Sequence, residues 1–222
     1  MTSTFDSSAA TSGLSRRRLV LALALAAVAA CSPGQPEAAP QAAGPGDRDS
    51  GRRETAVFAG GCFWSVEAHF ERIPGVVSAV SGFTGGRTRN PTYYQVVRGG
   101  TGHVEAVEVT FDPARVSYRQ LVDGFWRTID PTDPDGQFCD RGAPYATAVF
   151  VTAAQRPAAE ASQRAARATL PGRPFVTPVR DAARFWPAEA EHQNFARRNP
   201  VRYGGYSRFC GRDARLREVW GR

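Results

Sequence analysis

The hydrophobic period changes abruptly at Gly60-Gly61, and this change constrains the fold more than any other feature of the chain. Residues 55–59 (Thr-Ala-Val-Phe-Ala) form a short apolar run suited to a buried strand. Beyond the glycines, Phe63, Val66, Phe70 and Ile73 recur at helical spacing, which predicts a helix over 62–72. A strand, a tight turn and a helix in immediate succession commit the chain to a mixed α and β architecture.

The rest of the folded part alternates in the same way. Strands are expected over 76–83, 104–111, 146–151 and 176–179. Helices are expected near 91–97, with Pro91 in its first turn, from Ser117 as N-cap through Trp126, along the alanine-rich stretch to about Thr169, and near 188–197. Residues 129–142 read as a loop of Asp, Pro and Gly. From Asn199 the chain is rich in Arg, Gly and Tyr and is expected to be irregular, with a last short helix near 213–219. There is no internal repeat. The expected fold is a single-domain α+β two-layer sandwich over residues 55–222 with an irregular C-terminal tail.

Ahead of that domain lies a different kind of sequence. Arg16, Arg17 and Arg18 precede a twelve-residue apolar run, Leu19 to Ala30, too short to span a bilayer but laid out like a secretory signal. Val28-Ala29-Ala30-Cys31 resembles the lipobox of bacterial lipoproteins, which implies cleavage after residue 30 and lipidation of Cys31. Residues 32–54 carry no large apolar side chain and are expected to form a flexible linker of about 25 Å. The expected location is therefore the periplasm or cell envelope, with a lipid anchor to the membrane.

Composition narrows the chemistry. All 28 basic residues are arginine. With no lysine, Schiff-base chemistry and a phosphate-binding P-loop lysine are excluded. The formal net charge is +7, but the arginines are dispersed, and no nucleic-acid partner is expected. Three scattered histidines (His69, His103 and His192) make no metal-binding pattern, and no metal is expected.

The cysteines carry the strongest functional signal. Apart from Cys31 they are Cys62, Cys139 and Cys210, an odd set without a CxxC pair. Cys62 follows a strand and two glycines and opens a helix. Unpaired backbone N–H groups and the helix dipole there favour a thiolate. Glycine at 60 and 61 leaves room for another molecule to approach. Phe63 belongs to the expected core stripe, whereas Trp64 lies off it, where an apolar wall beside the thiol would stand. Strand alternation places Glu105 on the face of Val107, Val109 and Phe111. A carboxyl pointing inward there is a proton donor near neutral pH; a strand-end glutamate reaching solvent is the alternative. Tyr93, Tyr94 and Tyr145 are candidate hydroxyl donors.

The order of motifs resembles one family. Gly60-Gly61-Cys62-Phe63-Trp64, Gly82-Phe83-Thr84-Gly85-Gly86, Asn90-Pro91-Thr92-Tyr93, Gly99-Gly100-Thr101-Gly102-His103-Val104-Glu105, Phe111-Asp112-Pro113, Asp130-Pro131-Thr132 and Asp140-Arg141-Gly142 followed by Tyr145 are similar to those of peptide methionine sulfoxide reductases of type A. The resemblance implies a sandwich of ferredoxin-like character and reduction of methionine S-sulfoxide, in oxidised proteins or free, to methionine. Cys62 would attack the sulfoxide sulfur. Phe63 and Trp64 would hold the substrate methyl, while Glu105, Tyr93 and Tyr145 would bind and protonate the oxygen. Asp140 would order the site. The resemblance also implies a sulfenic acid on Cys62, a resolving cysteine, a thioredoxin-like donor, no cofactor and a monomeric enzyme. Cys210 is the first candidate for resolution and Cys139 the alternative; a Cys139–Cys210 pair acting after a first resolution is the third. Ile129 stands where many members have histidine before Asp-Pro-Thr, and the tail offers only Cys210 where many have two recycling cysteines.

Two other readings use the same residues. A cysteine peptidase would need a histidine facing Cys62, and a binding module would leave Cys62 inert.

Overall fold

The computed structural model describes residues 51–221. Residues 1–30, Cys31 and most of the linker, with the signal and lipidation expected there, lie outside the described residues. Among the described residues no helix is long and apolar enough to cross a membrane.

Among the described residues eight strands and seven α-helices follow in chain order: β1 Glu54–Ala59, α1 Phe63–Phe70, β2 Val76–Thr84, α2 Tyr93–Val97, β3 Val104–Phe111, α3 Tyr118–Trp126, β4 Gly136–Gln137, β5 Asp140–Arg141, β6 Ala148–Val151, α4 Arg156–Ala168, β7 Val179–Asp181, β8 Trp186–Pro187, α5 Phe195–Arg198, α6 Pro200–Phe209 and α7 Arg212–Trp220. Single 3₁₀ turns sit at Ala143–Tyr145 and Ala190–His192. The main sheet runs β7-β6-β1-β3-β2-β8, and β4 and β5 make a separate two-stranded ribbon. β1 and β2 both lie antiparallel to β3, β6 is antiparallel to β1, and β7 joins β6 in parallel. The central order β6-β1-β3-β2 is the βαββαβ pattern of a ferredoxin-like sandwich, as expected.

Alternation along β3 sorts the sheet's two faces. Val107, Val109 and Phe111 join the main core, with Phe58, Phe63, Phe70, Leu121 and Phe125. Val104 and Ala106 join a smaller apolar cluster with Ala59, Ala148 and Phe150. Each phenylalanine buried completely in the main core contributes about 1.5–3 kcal/mol. α3 begins where the sequence places it: Ser117 accepts from the Gln120 N–H, and the Gln120 side chain returns to the Ser117 N–H, forming a capping box. α3 packs on α4, and the Trp126 indole N–H donates to Ser162 Oγ at 2.8 Å.

Three expectations need correction. α2 starts at Tyr93, so Pro91 precedes the helix instead of lying in its first turn; Thr92 caps it with a second capping box through Gln95. The strand expected at 176–179 forms at Val179–Asp181, at the edge of the sheet. The C-terminal segment is helical, not irregular. α6 forms despite Gly204 and Gly205, with Pro200 in its first turn, and α7 ends at Trp220. α7 is tied to the preceding loop: Arg215 Nε donates to Asp130 at 2.7 Å, the Trp220 indole N–H to the Ile129 carbonyl at 2.9 Å, and Arg212 to the Thr128 carbonyl at 2.8 Å.

Candidate active site

Cys62 sits at the junction that the sequence singles out. It is the N-cap of α1, and its carbonyl receives the Ser65 and Val66 N–H groups. Gly61 has a φ of +79°, and a Cβ there would stand 2.5 Å from Gln137 Cβ. The glycine is required for that conformation. The close neighbour is therefore Gln137 of the same chain, and the room expected for an approaching molecule is filled from within. Gln137 is fully buried; its side chain accepts from the Asp130 N–H and donates to the Asp130 carbonyl, each at 2.8 Å. This fixes the 129–142 loop against the cysteine turn.

Glu105 points inward, as the alternation of β3 requires. It is 1% exposed, which excludes the reading of a solvent-reaching strand end. Its Oε2 accepts the backbone N–H of Phe63 at 2.9 Å. Burial outweighs that hydrogen bond and pushes the carboxyl up to about 8. At neutral pH it therefore holds its proton.

The thiol departs from the sequence expectation. Burial, reinforced by the adjacent Glu105 and Asp140 carboxyls, pushes Cys62 well above its ordinary value. The Tyr206 hydroxyl and the Trp64 N–H act in the opposite direction and are outweighed. A helix N-terminus offers up to about 2 kcal/mol in a favourable, partly buried setting, less than the cost of a desolvated thiolate beside acidic groups. The resting cysteine is a thiol, not the thiolate expected from its place on the helix.

Tyr93 and Tyr145 converge on the same place. Tyr93 hydrogen-bonds Tyr145 and is pushed up to about 12, first by burial and then by Glu105 and Cys62. Tyr145 shifts upward from the same causes. Both hydroxyls stay protonated and can donate. Tyr94, the third candidate, is 69% exposed and stands apart as a surface residue.

Asp140, on β5, accepts a hydrogen bond from the Tyr206 hydroxyl. Burial raises its pKa, while Tyr206 and Arg212 act to lower it. Tyr206 escapes the sequence reading because it lies in the segment expected to be irregular. Tyr203, Tyr206 and Cys210 are spaced three and four apart, which places them along one helical face, but the two intervening glycines conceal that period. The Tyr203 hydroxyl donates to Ser65 Oγ at 3.3 Å, so α6 also touches α1.

Phe63 and Trp64 divide their work. Phe63 is fully buried among Phe83, Tyr93 and His192 and belongs to the core. Trp64 is half-buried, stacks on Phe195 with ring centroids 3.7 Å apart and planes 9° from parallel, and meets Tyr206 edge-on. The apolar wall beside the thiol is thus Trp64 with Phe195 and Tyr206. The last two come from elements that the sequence reading did not link to the site.

His103, adjacent in sequence to the Glu105 strand, is structural. Its Nδ1 accepts from the Gly86 N–H at 3.1 Å and its Nε2 pairs with the Thr88 carbonyl at 2.8 Å. Both nitrogens are committed, which deprives the peptidase reading of that histidine as a base. Cys139 and Cys210 form a disulfide with a Cα separation of 4.7 Å, and Cys62 is the free cysteine among the described residues. A buried thiol, a protonated carboxyl and two tyrosine hydroxyls, with a disulfide on the neighbouring helix, can protonate an oxygen, attack the atom that bears it and pass on the resulting oxidation.

Known proteins match this arrangement over most of the chain. A family model described as peptide methionine sulfoxide reductase matches residues 54–222. The relative named peptide methionine sulfoxide reductase MsrA 2 from Rhizobium meliloti is 53% identical over 167 residues, covering 75% of this chain and 83% of that protein. A protein of the same name from Caulobacter vibrioides is 51% identical over 170 residues, covering 77% of this chain and 87% of its own length. The solved structure of methionine sulfoxide reductase A of Corynebacterium diphtheriae superposes with a TM-score of 0.59 at 33% identity, covering 67% of this chain and 76% of that one. Reduced Mxr1 from Saccharomyces cerevisiae shares the fold, with a TM-score of 0.64 at 24% identity, over 68% of this chain and 87% of its own.

Proposed function

The chain belongs to the peptide methionine sulfoxide reductase family as an enzyme of type A, and from that premise we propose how its own residues carry out the reaction. The substrate is methionine S-sulfoxide, in an oxidised protein or free. Its methyl group rests against Trp64, and its oxygen faces Glu105, Tyr93 and Tyr145. The observation that carries this reading is the buried Glu105 carboxyl, raised to about 8 and fixed by the Phe63 N–H beside the cysteine.

The chemistry needs the oxygen protonated and one electron pair moved. Glu105 gives its proton to the sulfoxide oxygen, and the tyrosine hydroxyls stabilise the charge that develops there. The Cys62 thiol passes its proton to the Glu105 carboxylate as its sulfur attacks the substrate sulfur. The protonated oxygen leaves as water, taking the proton now on Glu105, as the S–O bond breaks and an S–S-bonded sulfonium remains. Water then attacks the Cys62 sulfur, the S–S bond breaks to release methionine, and the spare proton returns to Glu105, leaving a sulfenic acid on Cys62. A resting thiol suits this sequence, because the carboxylate able to deprotonate it appears only once a substrate has taken the carboxyl proton.

Resolution follows on α6. Cys210 lies one turn beyond Tyr206, whose hydroxyl bears on the Cys62 sulfur. Cys210 attacks the sulfenic acid and expels water; exposed Cys139 then attacks Cys210, restores the Cys62 thiol and forms the Cys139–Cys210 disulfide. A thioredoxin-like dithiol reduces it. No organic cofactor enters these steps. The N-terminal sequence supports export to the cell envelope with a lipid anchor at Cys31.

The test is loss of each epimer of racemic methionine sulfoxide with dithiothreitol as reductant. Selective loss of the S epimer, abolished in Cys62→Ser, is the expected result. Loss of neither epimer by a folded protein overturns the reading.

A further inference from the structure

Cys139 Sγ, Cys210 Sγ and a carboxylate oxygen of Asp140 lie within 4.8 Å of one another. As a disulfide the two sulfurs are poor metal ligands; as thiolates they are the soft donors that zinc prefers. We propose that the dithiol form of this chain holds one zinc-type divalent cation between Cys139, Cys210 and Asp140, and that the disulfide form does not. The ion is an inhibitor of recycling, not a cofactor.

Geometry supports the site in two ways. The Asp140 carboxylate is held by the Tyr206 hydroxyl, the kind of outer hydrogen bond that orients a ligating oxygen. A groove of about 350 Å³ lined by Asp130, Asp133, Phe138, Cys139, Cys210 and Arg215 opens onto the sulfurs, and Cys139 is exposed at its mouth. That supplies an entry path and space for a water as fourth ligand. Arg215 pairs with Asp130 and Glu218. Arg212 lies over the Phe138 ring and donates to the Thr128 carbonyl, but its Nη2 has no hydrogen-bond partner and its charge bears on Asp140, so the cation has to compete with it for that carboxylate.

The steps balance. A dithiol donor gives two electrons and two protons to the Cys139–Cys210 disulfide and leaves as its own disulfide. The cation then displaces the two thiol protons and forms two metal–sulfur bonds. Both recycling sulfurs are then held by metal, and neither can attack a sulfenic acid on Cys62. Zinc would therefore compete with turnover only in the reduced enzyme.

The experiment uses the full chain carrying Cys31→Ser and Cys62→Ser, so that Cys139 and Cys210 are the only cysteines left. It is reduced, freed of reductant without oxygen, and titrated with zinc against a chromophoric chelator. Cobalt serves as a second probe, through its sulfur-to-metal charge-transfer absorption. The expected result is one equivalent bound at least ~100-fold more tightly by the reduced than by the oxidised form. Adding Asp140→Asn should weaken binding by at least ~10-fold, and adding Cys139→Ser or Cys210→Ser should abolish the cobalt absorption of a bis-thiolate site. Equal binding by both redox forms, or binding indifferent to Asp140→Asn, overturns the proposal. The readout is metal binding, so this result stands apart from the outcome of the sulfoxide assay.

Discussion

The Glu105 carboxyl accepts the backbone N–H of Phe63, the residue directly after Cys62, through Oε2 at 2.9 Å. One hydrogen bond thus joins the start of α1 to the middle strand of the sheet and fixes the proton donor relative to the nucleophile. Glu105→Gln keeps the shape and loses the transferable proton. Its single-turnover rate of sulfoxide reduction should fall by about 10²–10⁴, with circular dichroism unchanged. A rate within tenfold of the parent would remove Glu105 from the acid role.

The same proton sets the pH profile. Glu105 must be protonated to act and is held at about 8. The rate of the reductive step should be level below that value and should fall about tenfold per pH unit above it. Stopped-flow measurement of Cys62 oxidation between pH 6 and 10 would show the bend, and Glu105→Gln should lack it.

Stability should follow the carboxyl as well. Its folded value lies above the ordinary 4.5, so between about 4.5 and 8 the folded chain keeps a proton that the unfolded chain has released. This contribution is complete below 4.5 and is lost as pH rises through 8. Urea unfolding across that window should therefore show a decline with pH that is shallower in Glu105→Gln.

The two disulfide partners can be separated by what accumulates. With a thioredoxin donor, Cys210→Ser should stop after one methionine per chain, leaving a sulfenic acid on Cys62 that dimedone traps. Cys139→Ser should stop as a Cys62–Cys210 disulfide, visible by peptide mapping. A Cys62–Cys139 disulfide in Cys210→Ser would reverse the assignment. Dithiothreitol, which reaches the sulfenic acid directly, should sustain turnover in both variants.

Gly61→Ala probes the turn beneath the thiol. The φ of +79° and a Cβ 2.5 Å from Gln137 Cβ leave the methyl no place without backbone movement. We expect a loss of about 2–4 kcal/mol in chemical denaturation and a matching loss of activity as the 129–142 loop shifts. Thermal stability equal to the parent would show that Gln137 yields easily.

Much of this site is legible in the sequence because local period carries it. Alternation along β3 turns Glu105 inward, and the switch at Gly60-Gly61 places Cys62 at a helix start. The polar partners of that cysteine are less legible. Its ionisation is governed by burial and by the carboxyls of Glu105 and Asp140, which reach it from distant positions in the chain, and helix position alone suggests the opposite direction. Phe195, Tyr206 and the Cys139–Cys210 pairing depend on how α5 and α6 fold back over α1. Gly204 and Gly205 lower the helix signal of α6 at the place where it would have linked Tyr206 to Cys210. The helix forms because it is held at its ends: Tyr203 reaches Ser65, and α7 is fastened by Arg212, Arg215 and Trp220.

That fastening has a consequence for the order of assembly during synthesis. The four central strands are complete once Val151 has emerged, and Cys62 and Glu105 already face each other across them. Tyr206, Cys210 and the anchoring residues of α7 leave the ribosome well after those strands. A nascent chain therefore carries its nucleophile before it carries the residues that enclose and reset it, and the reactive centre is finished only once α6 and α7 have followed. Premature termination within α6 or α7 would release a protein with an intact sheet and an unguarded thiol, which makes the integrity of these two helices a condition of safe chemistry and not only of efficient recycling.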